Sequence, residues 1–288
     1  MGWFKRNREI QYKKRKKTKL ALVLSGGAGR GVGHIGVIKA LEKMGIMCDI
    51  VVGTSAGSAV GAMYAYGFSA SEMEQIALNL KISDIKGGRP FFLPANIKAL
   101  EETISRTMGG EKVFSELKKP FCAVATNIKT GNEVRITSGS VSKAVSASCC
   151  VPAYFKPVIW EDKVLVDGGL VNSVPIDVAK KMGADYVIAV DVNGSRGEGT
   201  DKIKLGSIIS STIGIMLKKN AKSYLDYADF CIFPKLKEYK STKLNNIQAM
   251  IDEGERATME VKDKIIKALN KKPKKKEFIW EDLDIEYI

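Results

Sequence analysis

The sequence holds one histidine in 288 residues, and that scarcity constrains its chemistry more than any other count. A serine or cysteine nucleophile normally takes its base from a histidine. His34 lies near the start, inside a glycine-rich segment, and no histidine follows it. A histidine-dependent α/β-hydrolase is therefore excluded on order, because its histidine should come after the acid. Cysteine is sparse too. Cys48, Cys122, Cys149, Cys150 and Cys231 make an odd count with no C-x-x-C pair and no zinc spacing, which excludes a disulfide framework and a zinc module. A reduced, cytosolic protein fits, with Cys149 and Cys150 as small buried filler.

Long apolar runs are missing as well. The first one, Leu20 to Leu24, spans five residues before Ser25-Gly26-Gly27, too short for the core of a signal peptide or for a membrane span. Position six is Arg6, so Met1-Gly2 does not form a myristoylation signal. Charge of one sign is abundant instead. The net charge is +14, and residues 1–19 supply +8 of it, nine basic side chains against Glu9 alone. Residues 1–18 read as a poorly ordered basic arm. Residues 3–19 also suit peripheral contact with an anionic membrane, helped by Trp3 and Phe4. Nothing else resembles a nucleic-acid module, so no nucleic-acid partner is expected.

With 45% hydrophobic residues the chain can bury a full core. The order of elements predicts its class. A buried strand at Leu20–Leu24 leads into a glycine-rich loop and a helix from about His34 to Met44. Asp49 to Val52 forms a second strand and is followed by a helix. Ser69 opens another, with Glu72 as its capping-box partner. Alternating strands and helices predict a parallel sheet covered on both faces, a three-layer α/β/α arrangement. Residues 86–94 (KGGRPFFLP) read as a loop whose Phe91-Phe92-Leu93 packs on the body or forms an apolar lip. Further strands are expected at Pro120–Ala125, Glu133–Thr137, Val164–Val166, Tyr186–Val190 and Phe230–Phe233. Ser140 to Ser148 and a segment with Pro175 at its first position read as helices. Ile203 to Leu217, apolar nearly all round, predicts a buried helix. Ile247 to Leu269 predicts one long closing helix. Residues 277–288, acidic with aromatics, have no predicted place.

Three elements carry chemistry. Gly53-Thr54-Ser55-Ala56-Gly57 matches G-x-S-x-G, the turn that lifts a serine oxygen off a strand end onto a helix start, with Gly53 and Gly57 as its small neighbours. Ser25 to Gly31 (SGGAGRG) leaves backbone N–H groups able to converge on one spot, as an oxyanion hole requires. Asp167 ends a strand and is followed by Gly168 and Gly169, which permit close backbone approach. In a parallel sheet, strand C-termini share one edge, so these elements would face one crevice. Gly31 to Gly36 also matches G-x-G-x-x-G, but six residues separate it from the strand and no acid ends the second strand, which argues against dinucleotide binding.

In this order the segments resemble the patatin-like phospholipase family, its bacterial members especially. LALVLSGGAGRGVGHIGVIKAL is similar to the family's first block and GTSAGS to its nucleophile block. SASCCVPAYFKPV is similar to the intervening segment, and VLVDGGLVNSVP to the aspartate block. The resemblance runs from about Leu20 to Val190. It implies a single patatin-like hydrolase domain over residues 19–270 with a mostly parallel central sheet, flanked by the arm at 1–18 and a tail at 271–288. It also implies a serine esterase, a lipid acyl ester hydrolase of phospholipase A or lysophospholipase type, with a Ser55–Asp167 dyad. The oxyanion hole would come from backbone N–H groups around Gly26, Gly27 and Ala28, with Arg30 beside it. No metal or organic cofactor is required. One departure stands out: the usual third glycine before alanine is displaced, giving Gly26-Gly27-Ala28-Gly29. A catalytically silent relative that binds lipid or a protein partner is the alternative, against which intact Ser55 and Asp167 count.

Overall fold

The computed structural model describes residues 18–86, 95–194, 208, 211–212, 214–216, 220, 225–239, 244–271 and 285–288. Of the loop expected at 86–94, residues 87–94 lie outside the described residues, as does most of the basic arm, while Lys86 is the last residue of a helix.

The chain opens with β1 (Leu20–Leu24), α1 (Gly33–Lys43), β2 (Ile50–Thr54) and α2 (Ala56–Tyr66). α3 (Ala70–Asn79) follows, begun by the reciprocal Ser69–Glu72 capping box that the sequence predicts. Next come α4 (Ile82–Lys86), α5 (Lys98–Thr107), β3 (Phe121–Asn127), β4 (Glu133–Ile136) and α6 (Val141–Ser148). β5 (Val158–Trp160), β6 (Lys163–Asp167), α7 (Ile176–Lys181), β7 (Tyr186–Val190) and β8 (Phe230–Ile232) complete the middle of the molecule.

The sheet runs β5-β6-β3-β2-β1-β7-β8, with β1, β2, β3, β7 and β8 mutually parallel. β4 and β6 are both antiparallel to β3. The mostly parallel α/β prediction therefore holds, and the antiparallel part is confined to one side.

Side-chain alternation along β1 divides the core. Leu20, Leu22 and Leu24 point into a large cluster beneath α1, α2 and the helix Ile247–Glu260, while Ala21 and Val23 face a smaller one lined by α7. The pleat sends successive side chains to opposite faces, so a run buried on both faces is apolar throughout.

Four predictions need correction. The closing helix is two helices, Ile247–Glu260 and Lys262–Leu269, broken at Val261, whose backbone (φ −105°, ψ 5°) leaves the helical range. α7 begins at Ile176, with Pro175 just outside it. In the segment expected to be a buried helix, the described residues are helical, but Ile208, Ile215 and Met216 are 46%, 58% and 40% exposed. The unplaced C-terminal segment returns to the sheet, where β9 (Ile285–Tyr287) pairs in parallel with β4.

The glycine-rich start of α1 has a packing explanation. A Cβ at Gly36 would overlap the carbonyl of Ile251, and one at Gly254 would overlap the carbonyl of Gly33. The two helices thus touch backbone to backbone, and the G-x-G-x-x-G match reflects this crossing. No described helix is long and apolar enough to cross a membrane.

Candidate active site

Ser55 stands between β2 and α2 with φ 52° and ψ −128°, a conformation that L-residues rarely occupy. Local contacts hold it there. Its N–H donates to Ser148 Oγ at 2.9 Å, and that hydroxyl in turn donates to the Val124 carbonyl at 2.6 Å. The Ser58 hydroxyl donates to the Ser55 carbonyl at 2.7 Å. The turn can close only because residue 57 is glycine: a Cβ there would collide with the Leu24 carbonyl oxygen.

Asp167 ends β6 and caps the short turn Gly168–Leu170. Its N–H donates to the Cys150 carbonyl at 2.9 Å, and its Oδ1 accepts from the Gly169 N–H at 2.8 Å. Gly168 lies so close to β3 that a Cβ would overlap the Val124 carbonyl. Burial lifts the Asp167 carboxyl to a pKa of about 6, while hydrogen bonding from the Ser55 hydroxyl and from Gly169 pulls it back down. Ser55 is 7% exposed and Asp167 6%. The structure therefore brings these two sequence-predicted residues together in a largely dry spot.

The Cys149 thiol lies beside them, 3.9 Å from Ser58 Oγ. Burial and the neighbouring Asp167 charge push its pKa up, so it stays a thiol. Cys150 is likewise pushed up to about 12 by burial. Cys150 is buried as the expected filler, whereas Cys149 is half-buried.

The glycine loop departs from expectation at Gly26. The Gly26 N–H donates to the Ser173 carbonyl at 3.2 Å, so it is not available to an oxyanion. The N–H groups of Gly27 and Ala28, at the start of the short turn Ala28–Val32, have no acceptor among the described residues. Arg30 is buried, and its Nε and Nη2 donate to the carbonyls of Tyr239 (2.8 Å) and Lys237 (3.2 Å). Its side chain thus ties the loop to the segment before the helix Ile247–Glu260.

His34 is fully buried, with Nε2 2.9 Å from the Ser25 carbonyl, and burial lowers its pKa to about 4. It is neutral near pH 7, and its Nε2–H donates to that carbonyl. It packs in the core and holds that carbonyl in place.

Several contributors carry no signal in the sequence. Asn172 and Ser173 present carbonyls to the Thr54 hydroxyl (2.9 Å) and to the Gly26 N–H. Beneath them Arg135 is enclosed between Glu133 (2.5 Å) and Asp177, and Asn172 Nδ2 donates to both carboxylates at 2.7 Å. Among the described residues, no group of three or more His, Cys, Asp or Glu side chains is arranged to hold a metal ion.

A buried serine on a strained turn, a buried carboxyl at a neighbouring strand end, and backbone donors without acceptors are the parts of an acyl-transfer site. The model of the patatin-like phospholipase family matches residues 22–180, more than half of the chain. The chain belongs to the patatin-like phospholipase family. Over 201 residues, 66% of this chain, it is 38% identical to patatin-like phospholipase domain-containing protein 6 of Homo sapiens. Over 195 residues, 64% of this chain, it is 32% identical to lysophospholipase nte1 of Aspergillus fumigatus. These matches cover only 14% and 12% of those longer proteins. Among solved structures, VipD from Legionella pneumophila shares the fold at 15% identity with a TM-score of 0.59, over 87% of this chain and 67% of that one.

Proposed function

We propose that this chain hydrolyses acyl esters of lipids, in the manner of a phospholipase A or lysophospholipase, through a Ser55–Asp167 dyad. The observation that carries the reading is the buried Asp167 carboxyl, which burial lifts to about 6, at the strand end beside the strained and buried Ser55. A carboxylate raised this far is still ionised near pH 7 and is a better base than an exposed aspartate.

In the first half-reaction Ser55 Oγ attacks the ester carbonyl carbon and its proton passes to Asp167. The Gly27 and Ala28 N–H groups stabilise the tetrahedral oxyanion; one such donor is worth roughly 3 kcal/mol. The ester C–O bond breaks, Asp167 returns the proton to the departing alkoxide, and an acyl-Ser55 ester remains. Water then loses a proton to Asp167, attacks the acyl carbon and releases the fatty acid, while Ser55 Oγ recovers the proton. No step calls for a metal or an organic cofactor.

A fluorophosphonate probe tests this reading. Wild type should be labelled, Ser55→Ala should not, and Asp167→Asn should label at a small fraction of the wild-type rate. A folded wild type that stays unlabelled, with and without detergent or vesicles, would overturn it.

The +8 charge of residues 1–19 supports a second element of the proposal, peripheral contact with anionic membrane from the cytoplasmic side. The five cysteines, all free thiols, suit that reducing compartment. Deleting residues 1–18 should weaken binding to anionic vesicles and flatten its salt dependence. Unchanged binding would remove this element and leave the dyad intact.

A further inference from the structure

Two successive peptide units of the glycine loop are gripped from opposite sides. In the Ser25–Gly26 unit the carbonyl accepts from His34 Nε2 at 2.9 Å, and the N–H donates to Ser173 at 3.2 Å. In the Gly26–Gly27 unit the carbonyl accepts twice, from Asn193 Nδ2 at 2.6 Å and from Ser25 Oγ at 3.0 Å. A trans peptide is planar, with its carbonyl and N–H pointing in opposite directions. No peptide of the described chain is cis. Fixing the Gly26 carbonyl on Asn193 therefore fixes the Gly27 N–H, which points the other way and has no acceptor among the described residues.

The nucleophile turn packs against the loop at Gly26. A Cβ placed on Gly26 would lie 3.3 Å from the Ser55 Cβ, whereas one on Gly27 would overlap the Val192 side chain. The loop is thus sandwiched between the nucleophile turn and the segment that follows β7. Asn193 is itself held in place. It is buried, and its N–H donates to Asp191 Oδ1 at 2.8 Å. Ser25 Oγ, the second donor to the same carbonyl, accepts from the Val192 N–H at 3.1 Å.

Without the Asn193 amide, the Gly26 carbonyl would keep only the longer bond from Ser25 Oγ, and neither flanking residue has a Cβ to oppose rotation of the Gly26–Gly27 peptide. From this geometry we infer that Asn193 is a positioning residue for the oxyanion hole, setting the direction of the Gly27 N–H without touching substrate. It lies beyond the segment matched by the family model and has no predicted role in the sequence. The inference rests on the proposed Ser55 chemistry, since an oxyanion donor matters only if an oxyanion forms.

The test compares wild type, Asn193→Asp and Asn193→Ala on a soluble p-nitrophenyl ester, with kcat and KM resolved and folding checked by circular dichroism and Tm. The aspartate is isosteric but, when ionised, has no N–H to offer the Gly26 carbonyl. A lost oxyanion donor lowers kcat by about 100- to 1,000-fold, and a misdirected one should cost at least about tenfold. The expected result is that fall in kcat with KM within about twofold, and a parallel fall in the fluorophosphonate labelling rate. If Asn193→Asp does not fold, Asn193→Ala carries the same comparison. Folded variants with wild-type kcat would overturn the inference while leaving the dyad standing. A rise in KM at unchanged kcat would overturn it too, reassigning Asn193 to substrate binding. An inactive, unlabelled wild type would instead defeat the proposed function itself.

Discussion

Thr54 and Asp167 pair with consecutive residues of β3, Val124 and Ala125, so β2 and β6 meet end to end along one edge of that strand. Arg135 and Val134 of β4 pair with the same two residues from the other edge. The separation of Ser55 from Asp167 is thus set by a hydrogen-bonded ladder of regular strands, and not by loops. Sites built on such elements hold their geometry better than sites carried on loops.

Asp167 acts as a base only when ionised, and its pKa lies at about 6. Ester hydrolysis, measured as kcat/KM on a soluble substrate, should therefore rise with pH, reach half its maximum near pH 6 and level off above. A profile already flat from pH 5 upward would show that another group limits the reaction.

Burying this carboxyl also lowers stability at neutral pH. A carboxyl whose folded pKa is raised from 3.8 to about 6 contributes stability that is present below pH 3.8 and lost as pH rises through 6. At pH 7.5 the buried charge opposes folding by about 3 kcal/mol, since a tenfold change in an acid's dissociation constant corresponds to about 1.4 kcal/mol. Asp167→Asn should accordingly be inactive yet more stable, by about 1–3 kcal/mol in urea denaturation at pH 7.5. Reduced stability would mean that the amide cannot share the hydrogen bonds of Gly169 and Ser55.

His34 titrates with the opposite sign. Its folded pKa of about 4 lies below the unfolded 6.5, so its contribution is full above pH 6.5 and is lost as pH falls toward 4. Between pH 4 and 6 the slopes from His34 and Asp167 oppose each other at about 1.4 kcal/mol per pH unit. Asp167→Asn should unmask the histidine, giving a steeper loss of stability on acidification than wild type. Parallel stability curves for the two proteins would contradict the opposition.

Strain at Ser55 should be measurable in the same way. An L-residue at φ 52°, ψ −128° costs about 1–3 kcal/mol, and glycine escapes most of that. Ser55→Gly and Ser55→Ala both remove the nucleophile, but the glycine variant should be the more stable by about 1 kcal/mol, after its greater unfolded-state entropy is counted. Equal stability would mean that the turn relaxes once the hydroxyl is gone.

Much of this site is legible in the sequence because it is local. Gly53 to Gly57 spells out a strand-turn-helix, and Asp167-Gly168-Gly169 a strand end with room for close approach, and both stand where expected. Ser69 and Glu72 likewise form their box, since a capping box is a four-residue property. What escaped is long-range. Gly26 looks like a free donor until Ser173 is seen to accept its N–H. Ile285–Tyr287 reads as a tail because nothing nearby in sequence says that β4 has an open edge. Ile208, Ile215 and Met216 look like core, since hydrophobicity alone does not say which face of a helix is covered.

Arg135 is the least legible of these residues and the easiest to misjudge. It alternates with Glu133 on a short strand as a solvent-facing ion pair would, yet both are buried with Asp177. Removing one partner from a buried ionic cluster strands the others, which typically costs about 3–5 kcal/mol. Arg135→Met should lose that much in chemical denaturation, because Glu133 and Asp177 would be left facing each other. Burial and the nearby Asp177 already hold the Glu133 carboxyl above its ordinary pKa. Replacing all three residues with apolar ones of similar volume should recover most of the loss. The effect should reach the site as well. Asn172 Nδ2 bridges the two carboxylates, while the carbonyls of Asn172 and Ser173 hold Thr54 and Gly26. The triple variant, although folded, should therefore turn over ester more slowly than wild type, with KM little changed. Wild-type kcat in that variant would show that the carbonyls are positioned by the backbone alone and that the ionic cluster serves the fold.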